Sequence, residues 1–233
     1  AMPDRVIIWT HVTVDSPLPD SIVIFYEVAA DTNFSQIVTS GTVVTNNSID
    51  WSVKKDITGL LPNTYYYYRF NDGQNHYSVT GRTRTAPIGN NISVKFAVVS
   101  CSSIYSGFFN AYRQIALRND LNTLIHLGDY VYDFVDEDEK IRVPNPYPQE
   151  PVNLTDWLTL HKYHLLDPDL RFVRQMHPLS AIWDNHDIAG SDKISAARAF
   201  MEYTPTRQTD ANDHTTISRK LNYGNLVDLI VLD

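Results

Sequence analysis

The sequence predicts two parts, a small antiparallel β-sandwich followed by an α/β domain, and three observations carry that prediction. Residues 1–85 hold short runs rich in β-branched and aromatic residues, spaced by turn residues such as Asn46, Asn47, Pro62, Asn63, Asp72 and Gly73. Beyond 85–91, a segment that contains Pro87 and Gly89, apolar runs of strand length alternate with segments of helical period. The composition, 43% hydrophobic and 20% charged over 233 residues, is that of a folded globular chain.

In the first part, strands are expected at 6–10, 22–29, 42–45, 52–57, 65–70 and 76–85, the spacing of a sandwich. Alternation along 65–70 places Tyr66, Tyr68 and Phe70 on one face and Tyr65, Tyr67 and Arg69 on the other. Within 59–66, Pro62 fixes a turn, and a Tyr just inside the next strand can return its hydroxyl to upstream backbone. This run resembles the tyrosine corner of fibronectin type III domains, with Tyr66 as the corner residue and Trp9 as the core tryptophan. A fibronectin III-like β-sandwich is therefore expected over 1–86.

The second part is expected over 92–233. Residues 94–99 form a continuous apolar run of the kind buried on both faces of a parallel sheet. A helix is predicted over 108–119, where apolar residues fall at 108, 111, 112, 115 and 116. A second buried strand follows at 123–127, a helix at 154–166, a strand at 181–183, a helix at 196–203 and a strand at 226–232. Such alternation predicts an α/β sheet with helices on both faces. An acidic loop interrupted by prolines spans 136–153.

Charge and cysteine content narrow the function classes. Nineteen Lys and Arg against 27 Asp and Glu give a net charge of −8, which disfavours a nonspecific nucleic-acid binder. No apolar run has the length of a membrane span, and residues 1–10 lack the basic start and apolar core of a signal peptide. Cys101 is the single cysteine, so no intrachain disulfide forms and the compartment stays open.

Polar residues capable of binding metals stand just past the apolar strands. Cys101 follows 94–99, Asp129 and Tyr132 follow 123–127, and Asp184, Asn185, His186 and Asp187 follow 181–183. In open α/β sheets this carboxyl edge is where ligands bind. The step of three from Asp129 to Tyr132 on a tight loop can aim a carboxylate and a phenol at one point. Asn185, His186 and the flanking aspartates offer hard oxygen ligands, a nitrogen and a general acid. His161 and His164 have no partners spaced to complete a zinc site and are expected to be surface or packing residues. His126, within a strand, is expected to be structural.

Gly128-Asp129-Tyr130-Val131-Tyr132, followed by Asn185-His186-Asp187, resembles the core of the calcineurin-like metallophosphoesterases. Cys101, Tyr132, the run from Trp183 to Asp187, the segment Asp167-Pro168-Asp169-Leu170 and the amino-terminal sandwich make the chain similar to the alkaline phosphatase D, or PhoD-like, family. That resemblance implies an α/β/β/α-type metallophosphoesterase domain and a phosphoric ester hydrolase, an alkaline phosphatase or phosphodiesterase using a metal-bridging hydroxide. It implies ferric iron on Cys101, Asp129 and Tyr132, and calcium or another divalent cation on Asp129 and Asn185. His186 would serve the transition state, with Asp184 or Asp187 orienting it, and Asp233 is a weaker candidate at the rim. The substrate would be a phosphate ester or phosphodiester, and the location secreted, periplasmic or cell-surface. The family's later histidine motifs are missing, since beyond His186 the sequence has only His214. The chain is thus expected to be the amino-terminal portion of a longer enzyme, with an incomplete α/β domain. The alternatives are an inactive fragment of that enzyme and a noncatalytic β-sandwich binding or adhesion protein.

Overall fold

The computed structural model describes residues 2–90, 93–142, 150–208, 213 and 215–232. Asn91 of the linker, Ile92 at the start of the second part, the stretch 143–149 of the acidic loop, residues 209–212, His214 and Asp233 lie outside the described residues.

Six strands build the first part: β1 (Arg5–His11), β2 (Ile22–Ala29), β3 (Ile37–Thr45), β4 (Ser52–Thr58), β5 (Tyr65–Asn71) and β6 (Gly81–Arg84). β1 pairs antiparallel with β4, and the others form an antiparallel sheet in the order β3-β2-β5-β6. The two sheets close on an apolar core that includes Val6, Ile8, Val28, Val53, Tyr66 and Phe70. The Tyr66 hydroxyl accepts the Leu61 N–H at 2.9 Å, the upstream return that the Pro62 turn predicts. β6 is shorter than 76–85, because Asp72 turns the chain by accepting the N–H groups of Gln74 and His76.

Trp9 departs from its expected place in that core. Alternation along β1 turns Val6 and Ile8 into the sandwich and Trp9 to the opposite face, where its indole N–H donates to the Glu202 carbonyl at 2.7 Å.

The second part contains β7 (Phe96–Val99), α1 (Asn110–Ala116), β8 (Thr123–His126), α2 (Leu154–His164), α3 (Pro168–Met176), β9 (Leu179–Ala181), α4 (Lys193–Tyr203), β10 (Arg219–Tyr223) and β11 (Val227–Val231). β7, β8 and β9 form a parallel sheet in that order, with β8, buried along its whole length, at the centre. β9 starts and ends two residues earlier than the strand expected at 181–183, which leaves Ile182 and Trp183 in the loop that leads to Asp184. Two elements were absent from the sequence reading. α3 is set by Asp167, whose carboxylate accepts the N–H groups of Asp169 and Leu170, and by Pro168 in its first turn. β10 pairs with β11 as an antiparallel hairpin around Gly224, whose φ is +62°.

Among the described residues the helices do not flank the sheet on both sides. Residues of all four helices pack in one cluster with Ala97, Val99, Leu124, Leu179 and Ala181, one face of the parallel sheet. The other face meets the hairpin, where the Tyr223 ring lies 5.0 Å edge-on to Phe96 and Arg219 donates to the Ala181 carbonyl. Val98 lies on that second face beyond the hairpin's cover and is 56% exposed, contrary to the expectation for 94–99.

α4 docks onto the sandwich through polar contacts. Lys54 Nζ donates to the Met201 carbonyl at 2.6 Å, and Asp50 accepts both Lys162 Nζ, at 3.0 Å, and the Tyr203 hydroxyl. Burial raises Asp50, but His11, with Nε2 3.7 Å away, together with Tyr203 and Lys162 holds it down at about 2.

Candidate active site

Because β7, β8 and β9 run parallel, the segments that follow them leave the sheet side by side. Backbone bonds tie these segments together: Leu127 N–H to the Val99 carbonyl at 2.9 Å, Cys101 N–H to the Gly128 carbonyl at 3.2 Å, and Ile182 N–H to the His126 carbonyl at 3.1 Å. Cys101 and Asp129 both sit in the left-handed region, with φ of +55° and +51°. Gly128 between the strand and Asp129 has φ +113°, and a Cβ there would lie 2.5 Å from Asp184 Cβ. Only glycine meets both demands.

This backbone brings four of the expected side chains together. Cys101 Sγ lies 3.5 Å from Asp129 Oδ2, and the Tyr132 phenol is in electrostatic reach of both. Burial, then the Asp129 charge and Cys101, push the Tyr132 phenol up. The His186 ring stacks on Tyr132 at 4.4 Å between centroids, and its backbone N–H reaches Asp129 Oδ1 at 3.3 Å. Asp184 and Asn185 are exposed; the Asn185 N–H donates to Asp184 Oδ1, and no hydrogen bond holds its side-chain amide among the described residues.

The residue that orients His186 is neither Asp184 nor Asp187. Asp133 Oδ1 takes His186 Nδ1 at 2.6 Å, and Asp133 is 1% exposed. Asp187 instead clamps two loops: Oδ1 accepts the N–H groups of Tyr130 and Val131, and Oδ2 accepts that of Asp184. Its burial, with the Asp129 charge adding, raises it to about 7 against the pull of those amides. Asp133 escaped the sequence reading because it stands just before the acidic run 136–139. Its position between Tyr132 and Phe134 was the available signal.

Two buried histidines support the same loop. His164 Nδ1 donates to the Leu160 carbonyl at 3.1 Å, which leaves Nε2 to accept the Tyr132 N–H at 3.2 Å. That pattern requires a neutral ring, and burial lowers His164 to about 4. His164 is thus a packing residue and not a surface one. His126, structural as expected, accepts the Gly128 N–H on Nδ1 and donates from Nε2 to the Tyr112 hydroxyl, which donates to Ser102 beside Cys101.

Among the described residues no three His, Cys, Asp or Glu side chains converge on one point. The Cys101 thiol, Asp129 carboxylate and Tyr132 phenol nevertheless form a set of three acidic donors with no Lys or Arg paired to any of them among the described residues. Crowding of groups that each become anionic is relieved by a cation, so this donor set fits a metal ion. Beside Cys101 a hollow of about 290 Å³ opens between Ser103, Ser106 and Phe108.

Comparison with known proteins matches both parts to models of one family. Residues 1–87 match the family described as PhoD-like phosphatase, N-terminal domain, and residues 96–191 and 190–233 match PhoD-like phosphatase. The chain belongs to the PhoD-like phosphatase family. It is 30% identical over 262 residues to alkaline phosphatase D of Bacillus subtilis, which covers 99% of this chain and 44% of that protein. The solved structure described as "Structure of PhoD" superposes with a TM-score of 0.89 at 29% identity, covering 100% of this chain and 50% of that one. The chain spans about half the length of these relatives.

Proposed function

We propose that this chain is the amino-terminal part of a metal-dependent phosphoric ester hydrolase whose reacting centre lies on the rim after β7, β8 and β9. The observation that carries the reading is the meeting of Cys101, Asp129 and Tyr132 with no Lys or Arg paired to them among the described residues. These three would hold a ferric ion, and Asp129 with Asn185 a harder cation such as calcium. Bound there, the cations would supply the positive charge that neutralises phosphoryl oxygens and activates water.

The protein's own groups do the rest. Asp133 fixes Nδ1 of His186, so Nε2 is the ring nitrogen left to hydrogen-bond a phosphoryl oxygen or to protonate the leaving alkoxide. Asp187 holds the Asp129 and Asp184 loops in register. A phosphate monoester or diester is the substrate class, and the hollow beside Cys101 gives its organic portion room. A division near 86–92 and a fibronectin III-like first domain belong to the same reading, supported by the Tyr66 corner and by separate apolar clusters in the two parts. Its location is extracytoplasmic; no described helix is long and apolar enough to cross a membrane.

Iron-loaded protein should show a visible charge-transfer band that Tyr132→Phe abolishes, and metal content should fall in Cys101→Ser. A colourless iron-loaded protein that hydrolyses bis-p-nitrophenyl phosphate at full rate would overturn the ligand assignment. The coverage of about half of each relative favours a second reading, a fragment without activity of its own. Turnover of p-nitrophenyl phosphate and bis-p-nitrophenyl phosphate by a longer chain, with none by residues 1–233, would select it.

A further inference from the structure

A cleft of about 480 Å³ runs between the sandwich and the α/β part. Its walls come from the outer face of β1, from β5 and β6, from the end of α2, from α3 and from the segment 177–179 that enters β9. That segment lies at the amino-terminal edge of the parallel sheet, opposite the rim, and none of Cys101, Asp129, Tyr132, Asn185 and His186 lines the cleft.

The charge of this cleft inverts that of the whole chain. Among the described residues no Asp or Glu lines it, whereas Arg82, Arg171, Arg174 and Lys162 do, in a protein of net charge −8. Lys162 is neutralised by Asp50 at 3.0 Å. The three arginines make no ion pair with a carboxylate among the described residues. Arg82, only 8% exposed, donates to the carbonyls of Met176 and Arg118 and to the Asn119 side chain, all neutral acceptors. Arg174 donates to the Tyr130 hydroxyl and the Tyr203 carbonyl and lies 4.4 Å over the Trp9 ring. A guanidinium withdrawn from water without a counter-charge is costly, and an anion entering the cleft would remove that cost. The remaining wall is aromatic and aliphatic, with Trp9, Tyr68 and Phe70 inside and Val79 and Leu166, 73% and 61% exposed, at hand for an apolar body. The volume suits a small molecule.

We propose that this cleft is a second ligand site, separate from the rim, for a small anionic amphiphile in which one acidic group meets Arg82, Arg171 and Arg174 and an aromatic or alkyl body lies against Trp9. The probe is 1-naphthalenesulfonate, which a phosphoesterase cannot hydrolyse, with uncharged 2-naphthol as the control. Calorimetric titration should show one saturable sulfonate site that weakens as salt rises, with 2-naphthol at least tenfold weaker. Arg171→Glu, on an exposed side chain with no hydrogen-bond partner in the protein among the described residues, should weaken the sulfonate at least tenfold and leave the unfolding midpoint unchanged. Arg82→Gln should do the same to binding where it folds. Cys101→Ser and His186→Ala should leave the affinity unchanged, so a failure of the active-site reading leaves this result standing. Equal binding of the two probes, no response to Arg171→Glu, loss of binding in the rim variants, or a longer chain that excludes the sulfonate would each overturn the proposal.

Discussion

Asp133 Oδ1 lies 2.6 Å from His186 Nδ1, and the other Asp133 oxygen is buried without a partner among the described residues. The carboxylate therefore acts on a single target, the imidazole stacked on Tyr132. Asp133→Asn should lower kcat for bis-p-nitrophenyl phosphate by about 10- to 100-fold with little change in KM, because only the orientation and charge of the proton donor are altered. The assay belongs on whichever chain turns the substrate over; unchanged kcat there would remove Asp133 from the machinery.

Gly128 carries the backbone through φ +113° with Asp184 pressed against it. Gly128→Ala should destabilise the fold by about 2–4 kcal/mol through strain and overlap together. Urea denaturation measures it, and a loss below 1 kcal/mol would mean that the Asp184 loop yields freely.

His161 is 1% exposed, and neither ring nitrogen has a hydrogen-bond partner among the described residues. It lies between the rings of Tyr130 and Tyr203, at 6.3 Å and 5.4 Å. His161→Phe keeps the ring packing and removes two stranded polar atoms. It should stabilise the protein by about 1 kcal/mol at pH 7 in the same denaturation experiment.

The pH dependence of that substitution has a fixed sign. Burial holds His161 well below the ordinary histidine value, as it holds His126 at about 4. Below about pH 6.5 the unfolded chain takes up protons that these buried rings refuse, so stability is lost as pH falls from there toward 4. Asp187, raised to about 7, gains stability in the same window and offsets one histidine. Comparing wild type with His161→Phe isolates the ring: the variant's advantage should grow by up to about 1.4 kcal/mol per pH unit between 6 and 5. An advantage independent of pH would contradict a neutral buried His161.

Much of this was legible in the residues because period and composition act locally. The alternation of β5 put Tyr66 and Phe70 in the core, and three apolar runs ending in polar residues located the rim. What escaped depends on distant contacts. Trp9 reads as a core residue by the fibronectin-like resemblance, yet β1 turns it away from Val6 and Ile8 to a face whose cover, the Glu202 carbonyl at the end of α4, lies far along the chain. β10 hides because Arg219, Lys220 and Asn222 mask the alternation of Leu221 and Tyr223, and α3 hides because it is short and polar apart from Leu170, Phe172, Val173 and Met176. Asp133 and His164 look like a loop acid and a helix residue until the fold brings each to the Tyr132 loop.

The docking of α4 on β1 and β4 also orders events during synthesis. Trp9, Asp50 and Lys54 leave the ribosome well before their partners Glu202, Tyr203 and Met201, which follow 193, 153 and 147 residues later. A nascent sandwich can close its own core first and wait with an aromatic ring, a carboxylate and an ammonium group displayed on one face. The α/β part then folds against a surface already shaped, and the docking of α4 is a long-range closure that fixes the segment leading out of the His186 loop.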